Sequence, residues 1–333
     1  MTSQPWHQQP DFHTRAPYRS TLLSHPGNLR QAIKDAHADA SKTLFGVGHG
    51  IPSIFVTKLL ASAKPDFIWI DVEHGIWNRL ELYDAIQAAQ HHSEGKSLVI
   101  VRVPKGDELA RSTALDAGAA GLVIPHCESA EEVREFVKEM YYPPIGQRSF
   151  SPWTFTPGVN DQSLYPNDSF NMATANNHIV LIPQIESVKG VENAAEIAAV
   201  ENVGAIMFGP GDFMADAGIP VTMEGPPHPV LIDAMTKFAQ AGAKSGVPLL
   251  GAAHKPGMVP MLLEQGYRVI AIAFDVWGLA GLVSDRLKES RADAAESVKS
   301  LANGKATNGA DAATIKTEES NGDGAEVTLN GKS

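Results

Sequence analysis

DFIWIDVEHG, residues 66–75, begins as an apolar run and ends in three ionisable side chains. Ile68, Trp69, Ile70 and Val72 read as a strand buried on both faces, the pattern of a parallel sheet. Asp71, Glu73 and His74 do not belong in a dry core unless they are paired or used. Seven further runs share the Val/Ile/Leu-rich character: TLFGVGHG (43–50), SLVIVRVP (97–104), AGLVIPHC (120–127), IVLIPQIES (179–187), VGAIMFGP (203–210), VPLLGAAH (247–254) and RVIAIAFDVW (268–277). Helical spacing fills most of the gaps, clearest in RLELYDAIQAAQ, SAEEVREFVKEM and HPVLIDAMTKFAQAGAK. SAEE (129–132) also has the form of a capping box, a Ser with an acid three residues on. Eight runs alternating with helices over about 250 residues predict an α/β fold of the (β/α)8 TIM-barrel kind. The runner-up is an open doubly wound sheet, weakened because no Gly-rich dinucleotide fingerprint follows the first run.

The barrel is expected over residues 27–300, after an irregular, Pro-containing arm (1–26) and before a Gly-, Ala- and acid-rich tail (301–333) too poor in large apolar residues to order. The connection 141–170 is unusually long and aromatic, and reads as a lid or subunit-contact segment. A net charge of −11 argues against a nucleic-acid or anionic-membrane partner, both of which need a basic face. A single cysteine, Cys127, excludes an internal disulfide and fits a reducing compartment. With no apolar run near the roughly 20 residues of a membrane span and no signal-peptide pattern at the N-terminus, a cytoplasmic location is expected.

Barrel chemistry sits at the C-terminal ends of the strands. Those ends carry Asp71, Glu73 and His74, then Arg102, His126, Gln184 with Glu186, Asp212 on a Gly-Pro-Gly turn, His254 and Asp275. Gln184 and Glu186 are two apart and so share a side of their strand. Glu186 and Asp212, on neighbouring strands, suit one Mg2+ or Mn2+, which takes one or two carboxylates plus water and substrate. No His/Cys pattern at zinc spacing is present. The bland alternative stands beside this one: Glu186 caps the next helix and Asp212 sits in a turn. Arg102, flanked by apolar residues, needs an anion, either a structural acid or a substrate oxyanion. His74 is either a hydrogen-bonded strand-end histidine or an acid-supported base. For His126, His254 and Asp275 the structural reading is the stronger one. No lysine stands at a strand end (Lys105 reads as loop, Lys244 and Lys255 as helix), which disfavours a Schiff base.

DFIWIDVEHG, VRVP, AGLVIPH, YPPIGQRS, LIPQIES and GPGDF occur in an order and spacing that resemble the class II, metal-dependent 2-oxo-acid aldolases of the HpcH/HpaI aldolase family, over about residues 27–290. The resemblance implies a barrel of the phosphoenolpyruvate/pyruvate type, assembled as a homo-hexamer with exchanged C-terminal helices. It makes Glu186 and Asp212 the ligands of Mg2+ (or Mn2+) and sets Gln184 beside the bound oxo acid. It gives the substrate carboxylate to the backbone at Gly209, Pro210, Gly211 and Asp212, and the enolate oxygen to Arg102. His74, supported by Asp71, handles the proton. Trp69, Phe150, Pro152 and Trp153 wall the pocket of the second reactant, and His126 and Phe170 are counted among the substrate-binding residues. The implied reaction is formation of a pyruvate enolate, by oxaloacetate decarboxylation or aldol cleavage. The enolate then attacks an electrophilic acceptor. PHCES and SFSPW resemble fungal members whose acceptor is a 2-pyrone; a plain 4-hydroxy-2-oxo-acid aldolase with an aldehyde partner is the alternative. Two departures bear on the acceptor: Ser149 follows Arg148 where bacterial members have Gly, and Phe170 stands where a pocket tyrosine is expected. Non-catalytic scaffolding and an acyl-CoA lyase are the remaining rivals; no basic cluster announces a coenzyme pocket.

Overall fold

In the computed structural model the described residues are 25–151, 172–222, 225–253, 255 and 257–307. All eight apolar runs become strands: β1 (Leu44–His49), β2 (Phe67–Asp71), β3 (Leu98–Arg102), β4 (Gly121–Ile124), β5 (Val180–Ile185), β6 (Ile206–Phe208), β7 (Leu249–Ala252) and β8 (Tyr267–Phe274). They are parallel, pair in chain order, and close through β8 onto β1. This is the (β/α)8 barrel, not the open sheet.

Alternation along each strand sorts two cores. Phe67, Trp69, Ile100, Val123, Val180, Ile182, Met207, Leu250, Val269 and Ala271 fill the barrel interior. Ile68, Ile70, Val99, Val101, Leu122, Leu181 and Ile206 face the surrounding helices. On β1 the inward positions are Gly46 and Gly48. A Cβ there would lie 2.5 Å from the Phe67 ring and 2.0 Å from Phe274, so the glycines make room for two aromatic rings.

The three clearest helical patterns are the helices Arg79–His92, Ala130–Met140 and Pro229–Ser245. The SAEE box forms by half. Ser129 caps its helix by accepting from the Glu132 N–H, but Glu132 turns its carboxylate to the Glu128 N–H at 3.1 Å. A reciprocal box closes instead at Asn78 and Glu81. Lys244 is helical as expected, whereas Lys255 precedes the helix Met258–Glu264, whose start is set by Gly257 in the left-handed region. Backbone contacts divide the chain into units Met1–Ala280 and Gly281–Ser333. The last helix, Asp275–Thr307, extends past the expected boundary at 300. Of the long connection, residues 152–170 lie outside the described residues, as do the arm to residue 24 and the tail from 308. Among the described residues no helix is long and apolar enough to cross a membrane.

Candidate active site

Strand register explains which polar groups meet. Asp71 and Arg102 are Cα partners across β2 and β3, so their side chains leave the sheet on the same face, into the barrel mouth. The Asp71 carboxylate accepts from Arg102 Nε at 2.9 Å and from Nη2 at 2.6 Å, a bidentate pair. Arg102 Nη1 lies 3.3 Å from Glu73 and donates to Gln184 Oε1 at 3.5 Å. Its guanidinium carbon sits 5.5 Å from the centre of the buried Trp69 ring. Burial opposes the charge of Arg102, but Asp71 and Glu73 outweigh it and hold the group above its ordinary range.

The structure parts Asp71 from the imidazole it was expected to support. Asp71 Oδ1 instead accepts from the backbone N–H groups of Glu73 and His74, at 3.1 and 3.5 Å, and orders the turn after β2. The exposed His74 ring has Glu73 as its acid neighbour, Nε2 to Oε2 being 3.9 Å. Burial pushes the Glu73 carboxyl up, with Asp212 among the charges adding to it.

Glu186 follows β5 and is 4% exposed. Ser187, not Glu186, caps the next helix by accepting from the Gly190 N–H. Glu186 Oε1 accepts from the His126 backbone N–H at 2.8 Å, and Oε2 accepts from the Gln184 amide. Burial raises the Glu186 carboxyl, and Asp212 and Glu73 add to the rise against the Gln184 and His126 bonds. Among the described residues no lysine or arginine lies within 4.0 Å of Glu186 or Asp212. A buried carboxylate with acids for neighbours and no ion-pair partner within 4.0 Å has a donor set that suits a cation. Among the described residues no group of three or more His, Cys, Asp or Glu is placed so that it could hold a metal ion by itself. A carboxylate pair is the donor set that a hard cation completed by water and substrate would use.

Asp212 is exposed, in the first turn of the helix Pro210–Asp216. Gly209 is a close-approach glycine: a Cβ there would lie 2.2 Å from Glu186 Oε2 and 3.0 Å from Gln184 Nε2. Of the four backbone positions named for the substrate carboxylate, two cannot donate. The Gly209 N–H is spent on the Ile185 carbonyl at 3.0 Å, and Pro210 has none. Gly211 and Asp212 retain theirs, and no side chain caps this helix.

His126 meets the site through its backbone; its ring is 50% exposed, 3.8 Å from Glu128. Phe150 is exposed. Pro152, Trp153, Phe170 and His254 lie outside the described residues. Asp275 opens the last helix. There it accepts from His49 Nδ1 at 2.7 Å and from the N–H groups of Gly50 and Ile51 at 2.9 and 3.0 Å. His49, fully buried with Nε2 on Thr57 at 2.7 Å, escaped the sequence reading although it too ends a strand.

The family model described as HpcH/HpaI aldolase/citrate lyase matches residues 53–280. A crystal structure of macrophomate synthase is 64% identical, covers 88% of this chain and 99% of its own, and superposes with a TM-score of 0.82. The hydroxypyruvate/pyruvate aldolase of Roseovarius nubinhibens is 30% identical over 75% of this chain and 93% of its own length. The 2-keto-3-deoxy-L-rhamnonate aldolase of Klebsiella pneumoniae is 27% identical over 77% and 91%.

Proposed function

Because the chain belongs to the HpcH/HpaI aldolase/citrate lyase family, and so is a lyase of the aldolase type, we propose that it makes a pyruvate enolate from a 2-oxo acid and passes it to an electrophile. The observation that carries this reading is the buried Glu186, without an ion-pair partner within 4.0 Å among the described residues, joined through the Gln184 side chain to an Arg102 that Asp71 holds in place. A divalent cation, Mg2+ or Mn2+, would be held by Glu186 and Asp212 and would polarise the keto and carboxylate oxygens of the oxo acid as a Lewis acid.

The chain's own groups divide the remaining work. The N–H groups of Gly211 and Asp212 receive the substrate carboxylate. Arg102 faces the keto oxygen with a charge that Asp71 keeps fixed, so no reorganisation is needed when negative charge develops there. In oxaloacetate the bond to the outer carboxylate breaks, CO2 leaves, and the electron pair passes to the keto oxygen. The carbon left behind takes a proton to give pyruvate, or attacks the acceptor. His74, exposed at the mouth beside Glu73, carries the proton. Trp69 offers a buried indole N–H that finds no acceptor among the described residues, a donor available to the second reactant. That reactant is a 2-pyrone in the reading drawn from SFSPW, and an aldehyde in the plain-aldolase reading; product analysis with each separates them.

The assembly proposed is a hexamer exchanging last helices. Leu282, Val283 and Leu287 on that helix are about half exposed, an apolar stripe that a second copy of the chain would cover.

The test is pyruvate release from oxaloacetate by EDTA-stripped protein, with and without Mg2+, corrected for decarboxylation by the metal alone. Metal-dependent release that Glu186→Gln abolishes is the expected result. Release that survives EDTA, with borohydride trapping substrate on a lysine, would sink the proposal.

A further inference from the structure

We infer that Lys105 is a positioning residue for the cation site, acting through a strained backbone at His126; the inference rests on the proposal that Glu186 holds the cation. His126 has φ +53°, a left-handed conformation that strains a residue with a Cβ. Two contacts hold the peptide that follows it. Its carbonyl, the oxygen of His126, accepts from Lys105 Nζ at 2.7 Å. Its N–H, that of Cys127, donates to the Gln184 carbonyl at 2.9 Å. With this peptide plane fixed at both ends, the ψ and φ of His126 together decide where its N–H points. At +53° it points at Glu186 Oε1, 2.8 Å away.

Lys105 is itself anchored. Glu132 pairs with its Nζ at 2.5 Å through one carboxylate oxygen and accepts the Glu128 N–H through the other. The half-formed capping box has a use in this arrangement: Glu132 forgoes the Ser129 N–H and ties the lysine and the 126–128 segment to one helix. The 126–127 peptide can relax toward an ordinary negative φ once the lysine is gone. The His126 N–H then swings off Glu186, which keeps only the Gln184 amide to orient it.

The experiment is a Mn2+ titration of the full chain, stripped with EDTA, by calorimetry. Lys105→Met is expected to weaken Mn2+ binding about 10-fold or more, the range seen when support behind a metal ligand is removed, and Lys105→Arg to restore most of it. Glycine adopts φ +53° without strain, so in a His126→Gly background Lys105→Met should cost about 3-fold or less. A lysine that merely stabilised the loop would cost the same in both backgrounds. Equal costs, or an unchanged affinity in Lys105→Met while Glu186→Gln loses binding, would overturn the inference and leave the cation site standing. Mn2+ binding that Glu186→Gln does not weaken would overturn both.

Discussion

Gly209→Ala tests the cation site by the smallest available change. The backbone tolerates it, since Gly209 has φ −101°. The obstacle is what the methyl meets: Glu186 Oε2 at 2.2 Å, Glu186 Cβ at 2.7 Å and Gln184 Nε2 at 3.0 Å. Carbon–carbon contacts settle near 3.5–4.0 Å, so Glu186 must retreat by roughly 1 Å. Rotating the carboxylate does not suffice, because the Cβ is tethered to the end of β5. The retreat strains the bonds from His126 and Gln184 together. Displacing a ligand's support by this much should weaken Mn2+ or Mg2+ binding about 10- to 100-fold, or about 1.4–2.7 kcal/mol. A misplacement of about 1 Å commonly costs about 100-fold in rate, so kcat/KM for pyruvate release should fall by at least that much. Overpacking costs about 1–3 kcal/mol, a loss of several degrees in Tm that leaves the chain folded. Gly211→Ala is the control, since its Cβ would meet nothing within 4 Å. Metal calorimetry on both variants decides the matter: equal affinities in Gly209→Ala, Gly211→Ala and wild type would refute the claim that this glycine gives Glu186 its place.

Asp71→Asn should leave a partly buried guanidinium with one neutral acceptor in place of a bidentate carboxylate. We expect kcat/KM to fall about 100-fold and stability by about 2–3 kcal/mol; an unchanged rate in steady-state assays would mean that Arg102 needs no such clamp. Asp275→Asn should cost about 1–3 kcal/mol at pH 7 by removing the charged acceptor of His49, Gly50 and Ile51. Burial raises the Asp275 carboxyl, but those three bonds outweigh it and hold the group below its ordinary range. Its contribution is therefore present above the unfolded value of about 3.9 and lost as pH falls through the lower folded value. Urea unfolding of both proteins should show the gap closing as pH drops below about 4; a gap that stays constant into that acid range would count against the pairing.

The barrel was legible because each strand is buried on both faces and so writes itself as a continuous apolar run. The runs overshot the strands at their C-terminal ends, where Glu73, His74 and Glu186 continue the chain after the ladder has stopped. The overshoot did no harm, since those ends are the site. Pairing was harder to read. Asp71 and His74 are three residues apart, and proximity in the chain suggested a dyad. The register across β2 and β3 is a long-range fact, and it gives Asp71 to Arg102, 31 residues away. Gln184 and Glu186 show the opposite case. Their relation needs only the two-residue period of one strand, and the structure joins them by a hydrogen bond.

What stayed hidden has a common physical character. The His126 amide on Glu186, the free amides of Gly211 and Asp212, and the missing Cβ of Gly209 are all backbone properties. A one-letter sequence records side chains, so a donor N–H is invisible until its orientation is known. At His126 the letter misdirects, because the imidazole invites a role while the peptide beneath it has one. Backbone donors suit this site for a reason. A cation held by two carboxylates leaves most of their lone pairs to be satisfied, and an imidazole or lysine placed there would add a titrating or competing charge. A peptide N–H orients the carboxylate and brings no charge of its own. The cost is a strained φ, which must be held from outside. In this chain the residue in position to hold it is Lys105, whose ammonium touches neither carboxylate of the proposed site and reaches the backbone between them and the helix Ala130–Met140.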